Sequence, residues 1–215
     1  MSIVKGSLMV NGLWGKKLGM TQVFAEDKKV VPVTVIDATH WLVTSIKRVN
    51  RDGYEAVQVG YVRPRYQKQS FDLEWLKASK KYFAHLKEIR LDSPAEGVEI
   101  GKQLSFVGFL AVGDSVNASG ITKGRGFAGV IKRHGFSGGG ASHGSNMHRR
   151  TGSIGFMATR GRVAKGKKMP GHMGADRCTV QKLQITAVDP EKNIVLVKGA
   201  VPGFSGAPIF LSKCR

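Results

Sequence analysis

The stretch Gly120-Ile-Thr-Lys-Gly-Arg-Gly-Phe-Ala-Gly-Val-Ile-Lys-Arg-His134, continued from Gly135 to Gly174, decides how this chain is organised. It holds eleven Lys or Arg, fifteen of the 28 glycines and four of the six histidines, and no Asp or Glu. Apolar side chains are too sparse here to offset the entropy of ordering the backbone, and glycine raises that entropy further. A segment that cannot fold on itself and repels itself electrostatically is ordered by a polyanion. RNA is the expected one.

Outward from this stretch in both directions the composition turns to β structure. Leu13 to Tyr61 reads as strands, with Val30-Val-Pro-Val-Thr-Val-Ile-Asp37 and Trp41-Leu-Val-Thr-Ser-Ile-Lys47 as β-branched runs. Asn50-Arg-Asp-Gly53 carries a turn signal, and Tyr54 to Gly60 alternates into a further strand. Phe71 to Leu86 breaks the pattern: Leu73, Leu76, Tyr82, Phe83 and Leu86 approximate a helical stripe, which Asp72 is placed to cap. Strands resume at Lys87–Leu91, Gln103–Val107 and Asp114–Ser119. After Gly174, Thr179–Val188 and Asn193–Lys198 flank Asp189-Pro-Glu-Lys192 as a hairpin, and Ile209–Leu211 is a last short strand. The expected fold is mainly β, an antiparallel barrel or sandwich with a small helical element. The basic stretch is an insertion that leaves and re-enters at neighbouring strand ends. Within it, Gly126–His134 predicts about two turns of helix with Phe127, Val130 and Ile131 inward and Lys132 and Arg133 outward, and Gly135–Gly174 predicts irregular, extended chain.

The formal net charge of +19 is unevenly distributed, since residues outside 120–174 contribute 23 basic against 15 acidic groups. An ordinary solvated surface mixes both signs, so this pattern indicates a moderately basic body with a strongly basic arm. Cys178 and Cys214 provide no disulfide framework and suit a reducing compartment. Met1 to Gly12 lacks the pattern of a secretory signal, and no apolar run is long enough to span a bilayer, so a soluble intracellular protein with no membrane partner is expected.

Several motifs in the stretch imitate enzyme sites. Gly124-Arg-Gly126-Phe-Ala-Gly129 matches a dinucleotide fingerprint, but no acidic residue follows before Asp176 to hold a ribose. Gly161-Arg-Val-Ala-Lys-Gly166-Lys167-Lys168 is one residue from a P-loop, with Lys168 where a hydroxyl should meet magnesium. His134, His143, His148, His172 and Cys178 have no metal-ligand spacing and lie among cations, so no metal is expected. Ser142, His143 and Ser145 lack a carboxylate to orient a base. These absences argue against catalysis, a cofactor or a small-molecule substrate.

The nucleic-acid signal is stronger. Arg and Lys neutralise phosphates, and glycines let backbone N–H groups approach them. Phe136, Phe156 and Met157 are isolated apolar residues suited to stacking or wedging, and neutral histidines suit phosphate or 2′-hydroxyl contacts. No zinc-finger, basic-zipper or helix-turn-helix pattern points to sequence-specific DNA binding.

Gly15-Lys-Lys-Leu-Gly-Met-Thr21, Pro32-Val-Thr-Val-Ile36, Gly53-Tyr-Glu-Ala-Val-Gln58, Thr122-Lys-Gly-Arg-Gly-Phe-Ala-Gly129, Ala141-Ser-His-Gly144, Gly152-Ser-Ile-Gly155, Gly166-Lys-Lys-Met169 and Leu196-Val-Lys-Gly-Ala-Val-Pro-Gly203 occur in order along nearly the whole chain. With these runs the chain closely resembles the bacterial-type large-subunit ribosomal protein L three family. The resemblance implies a translation-protein-type β-barrel formed by residues 1–120 and 175–215, with 66–91 a variable, partly helical insertion. It also implies an RNA-penetrating extension over 121–174 that approaches the peptidyl transferase centre. Implied partners are large-subunit rRNA and neighbouring ribosomal proteins, the implied location is the cytoplasmic ribosome, and the implied roles are early assembly and support of the catalytic RNA. Implied deep contacts are Arg149, Arg150, Phe156, Arg160 and Arg162, with Lys123, Arg125, Lys132 and Arg133 at the root. Lys16, Lys17, His134, His143, His148, Lys165, Lys167, Lys168 and His172 complete the expected RNA-binding set. Three departures stand out. Phe156 follows the Gly-Ser-Ile-Gly run where bacterial members often carry a methylated glutamine, about twelve residues precede the usual start, and Tyr66–Leu91 fits the family loosely.

Overall fold

Over Leu13–Phe24 (β1) the strand's two-residue period is visible in the burial of its first half. Leu13, Gly15 and Lys17 are buried, whereas Trp14 and Lys16 are only half-buried. The computed structural model describes residues 12–25, 27–92, 97–103, 109–155 and 161–214. Further strands are Val30–Asp37 (β2), Trp41–Lys47 (β3), Ala56–Val62 (β4), Phe83–Arg90 (β5), Ser115–Ile121 (β6), Phe127–Ala128 (β7), Gly171–His172 (β8), Arg177–Asp189 (β9), Ile194–Lys198 (β10) and Pro208–Lys213 (β11). The fold is mainly β, as the β-branched runs predict.

Six strands close into a barrel in the order β1-β11-β6-β9-β10-β2, every neighbour antiparallel and β2 returning to β1. Closure leaves none of the six as a free edge. Register shifts at Lys17/Gly19, Val116/Ala118 and Leu196/Val197 supply local bends of the kind closure requires. Ile36, Val116, Ile185, Val195, Val197, Ile209 and Leu211 fill the interior and are essentially inaccessible to solvent. Burying each such side chain contributes about 1.5–3 kcal/mol. The hairpin of β9 and β10 turns on Asp189, whose Oδ1 accepts the N–H groups of Glu191 (3.1 Å) and Lys192 (3.2 Å).

Trp14 and Phe210 alternate with inward residues, so they pack outside the barrel interior. They join the core of a second sheet of order β3-β4-β5, built on Trp41, Val43, Val57, Val59, Tyr61 and Ile89. The Trp14 ring lies 5.1 Å from that of Phe210 and 5.9 Å from that of Trp41. Aromatic area of this size dominates the packing energy of such a joint.

The helix expected over Phe71–Leu86 is instead two single turns, α2 (Glu74–Lys77) and α3 (Ser79–Tyr82), following α1 (Val49–Asp52) in chain order. Ala78, at φ −114° and ψ 46°, breaks the helical path between them. Trp75 and Tyr82 stack in parallel with centroids 5.0 Å apart, and Phe83 and Leu86 belong to β5 rather than to a helical stripe. Asp72 Oδ1 accepts the Glu74 N–H at 3.3 Å, but the N-cap position of α2 is Leu73, without a side-chain cap bond, so Asp72 is not the cap the sequence suggests. Of the strand expected at Gln103–Val107, Gln103 makes an antiparallel bridge to Leu42, and the remainder lies outside the described residues.

On this sheet Lys47 Nζ reaches Glu88 Oε1 (3.0 Å) and the Tyr54 hydroxyl (3.0 Å), while Tyr54 donates to Glu88 Oε2 (2.8 Å). The Lys47 and Tyr54 hydrogen bonds hold the Glu88 carboxyl below its ordinary range. Asp114 is lowered likewise by Lys213 and the Ala111 N–H. A depressed carboxyl stabilises the fold above its unfolded pKa, and that contribution is lost as pH falls through the folded value. Urea unfolding midpoints are therefore expected to drop below about pH 4, and Glu88→Gln to flatten that acid limb. A limb unchanged by the substitution would remove Glu88 from the account.

The chain folds as two compact units, one running to Ile121 and resuming at Arg177, the other Thr122–Asp176. It leaves the first unit at Ile121 and returns at Arg177, and these two residues are paired across β6 and β9. In the second unit, the described regular elements are β7, β8 and α4 (Val130–His134). The two-turn helix expected from Gly126 is thus shorter. Phe127 sits in β7 and is exposed instead of pointing inward with Val130. The extended backbone of Gly129 and the left-handed Gly135 limit α4 to five residues.

Candidate nucleic-acid interface

The Thr122–Asp176 unit is held by pairing of its two ends. The Thr122 N–H donates to the Asp176 carbonyl (2.9 Å), and Thr122 Oγ1 accepts the Asp176 N–H (3.2 Å). Arg125 N–H reaches the Met173 carbonyl (2.8 Å) and Met173 N–H the Gly126 carbonyl (3.0 Å), after which Phe127 and Ala128 pair with His172 and Gly171. Gly174 makes this approach possible. Its φ is +78°, and a Cβ there would overlap the Lys123 carbonyl oxygen, with Gly124 Cα at 3.0 Å and Arg125 N at 3.1 Å.

Helix α4 docks on the returning segment through polar side chains. Arg133 Nη1 donates to the Met169 carbonyl at 2.8 Å, and His134 Nε2 lies 3.0 Å from the same oxygen. A Cβ on Gly171 would stand 2.7 Å from Arg133 Nη1, so the missing side chain makes room for the guanidinium. Gly139 N–H donates to the His148 carbonyl (2.7 Å), and Arg150 N–H to the Met147 carbonyl (2.9 Å), which sets the chain just before the Arg149–Arg150 pair.

These bonds sort the expected RNA-binding residues into two groups. Lys123, Arg125, Lys132, His143, His148, Arg149, Arg150, Arg162, Lys165, Lys167, Lys168 and His172 are exposed. Arg133 and His134 are half-buried and hold the unit's own backbone. Among the described residues, every ion pair lies outside Thr122–Asp176, so the exposed cations are uncompensated. Phe156 and Arg160 lie outside the described residues. No group of three His, Cys, Asp or Glu among the described residues is arranged to hold a metal ion.

In the barrel unit, Lys17 is 8% exposed and its ammonium donates to the carbonyls of Val201 (2.9 Å) and Gly203 (3.2 Å). Lys16 Nζ contacts the Tyr61 hydroxyl (3.3 Å) and lies over the Tyr61 ring at 5.3 Å. The adjacent lysines of one motif therefore do different things, as the strand period requires.

The family model for ribosomal protein L3 matches residues 90–193, a span that contains all of Thr122–Asp176. The large ribosomal subunit protein uL3 of Syntrophus aciditrophicus is 47% identical over 208 residues, covering 96% of this chain and 94% of that protein. That of Trichlorobacter lovleyi is 50% identical over 196 residues, covering 90% and 92%. That of Corynebacterium diphtheriae is 44% identical over 200 residues, covering 92% and 91%. This chain belongs to the ribosomal protein L3 family.

The matches to these relatives span the barrel as well as the basic unit. Composition assigns the glycines of the stretch to phosphate approach. Gly171 and Gly174 instead admit Arg133 and the Lys123–Arg125 backbone. Sequence reasoning also misses Met169 as the carbonyl that anchors α4. No spacing rule identifies these contacts, because partners about 35 residues apart meet only when both ends of the insertion pair.

Proposed function

We propose that this chain is a structural, non-catalytic protein of the large ribosomal subunit that binds large-subunit rRNA directly through Thr122–Asp176. Membership in the L3 family supports the assignment to the subunit. The observation that carries the RNA contact is the set of exposed cations in that unit, none in a described ion pair, with Asp176 the only acidic residue in its sequence. Such a surface neutralises phosphates and releases counterions. Glycines and left-handed backbone at His143 (φ 58°) and His148 (φ 41°) let the chain follow an irregular RNA groove rather than a regular helix.

In this reading the basic unit is an arm directed toward the peptidyl transferase centre, where it stabilises rRNA and supports early assembly beside neighbouring ribosomal proteins in the cytoplasm. Arg149, Arg150, Arg160 and Arg162 make the deep contacts. Arg133 and His134 shape the arm's root without being principal phosphate ligands. The test is sedimentation of the tagged full chain from lysate through a high-salt sucrose gradient. Co-migration with the large subunit is expected. Recovery at the top of the gradient would overturn the integral role and favour a free RNA chaperone.

A further inference from the structure

The barrel unit carries a groove for which the arm's contacts leave no role. It has a volume of about 350 Å³, near the lower end of the range for single small ligands, about 300–1,000 Å³. Its lining includes the rings of Trp14 and Phe210, the exposed apolar side chain of Ile121, and the cations Lys87 and Arg177. It lies along β5, an outer strand of the three-stranded sheet. The indole N–H of Trp14 donates to the Glu88 carbonyl at 3.4 Å, which orients the ring, and Lys87 Nζ lies 5.4 Å from the Trp14 ring centroid.

Charge decides what such a groove accepts. Glu88 also lines it, but both oxygens of its carboxylate are engaged, by Lys47 at 3.0 Å and by the Tyr54 hydroxyl at 2.8 Å. Neither Lys87 nor Arg177 belongs to an ion pair among the described residues. The site is therefore an aromatic and apolar floor with two uncompensated cations. An apolar side chain from another protein would have no use for the cations, and a bare phosphate none for the rings. A nucleotide uses both.

We infer that this groove takes one unpaired nucleotide of the RNA, its base against Trp14 and Phe210 and its flanking phosphates on Lys87 and Arg177. The inference rests on the rRNA-binding reading above and adds to it a second contact point, on the barrel unit. The stacking floor accepts any base, since each has a π-face, so the site selects an unpaired, accessible nucleotide over a base-paired one.

The test uses the full chain bound to a large-subunit rRNA transcript, irradiated to form zero-length crosslinks and then digested to peptide–nucleotide adducts. Adducts are expected on the peptides carrying Trp14 or Phe210 as well as on arm peptides. Phe210→Leu is expected to weaken binding about tenfold. Lys87→Gln combined with Arg177→Gln changes exposed or half-exposed positions, so thermal unfolding should be unaltered while the salt slope falls by about two units. Arm adducts without groove adducts, or a parental slope in the double variant, would overturn the groove site and leave the arm reading standing. Loss of both kinds of adduct would remove the RNA reading itself. In intact large subunits, crosslinks from the groove to another protein and none to nucleotide would also overturn the inference and name a protein occupant.

Discussion

Replacing Arg149, Arg150 and Arg162 with glutamine lowers the slope of log K against log salt for rRNA binding by roughly one unit per lost phosphate contact, about three in all. The three side chains are exposed and outside every ion pair among the described residues, so their removal breaks none of those pairs. Stability of the isolated protein should stay within about 0.5 kcal/mol of the parent, as for surface positions without special contacts. Affinity at low salt should fall by orders of magnitude, and incorporation into large subunits with it. Filter binding across a salt series checks the slope, and a slope equal to the parent's would refute the assignment of these residues. Arg133 does not belong to this set. Its guanidinium is committed to the Met169 carbonyl, so its loss would mix folding with binding.

Gly174→Ala is expected to disrupt the base of the Thr122–Asp176 unit. A left-handed backbone costs alanine about 1–2 kcal/mol, and overlap with the facing Lys123–Arg125 backbone adds about 1–3 kcal/mol. Backbone cannot swing aside as a flexible side-chain tip can. The bonds at risk are Arg125 N–H to the Met173 carbonyl and Met173 N–H to the Gly126 carbonyl. Hydrogen exchange should show lost protection at Arg125 and Met173, together with weakened rRNA binding. The tryptophans, Trp14, Trp41 and Trp75, all belong to the other unit, so their fluorescence should be unchanged. Retained protection at both amides would contradict the steric account.

Much of the barrel and of the three-stranded sheet beside it is legible from the order of residues. Val30–Asp37, Trp41–Lys47 and the hairpin around Asp189 are β-branched runs bounded by turn residues, and each forms a strand close to its expected bounds. β1 is less distinct, because Gly15, Gly19 and the Lys16–Lys17 pair interrupt its apolar pattern. Its identity as a strand comes from pairing with β2 and β11 on either side. The Phe71–Leu86 stripe misleads for the converse reason. A helical period is present, but aromatic packing of Trp75 on Tyr82 and pairing of Phe83 and Leu86 with β4 favour two short turns and a strand.

Composition alone establishes the concentration of cations and glycines in one stretch and the absence of acids there, and hence a polyanion as the expected partner. The order of residues adds the β-rich flanks and the motifs that mark the L3 family. These properties do not depend on which residues meet in space. Which cations are available is a matter of folding. Lys17 lies on two carbonyls inside the barrel unit while Lys16 contacts Tyr61, and Arg133 holds Met169 while Lys132 faces solvent. Folding also brings Trp14 and Phe210, far apart in the chain, into one groove with Lys87 and Arg177. The physical reason is that a side chain's role depends on the carbonyls, rings and charges brought beside it by non-local pairing. Strand alternation and chain reversal set those neighbours, and composition carries no record of them.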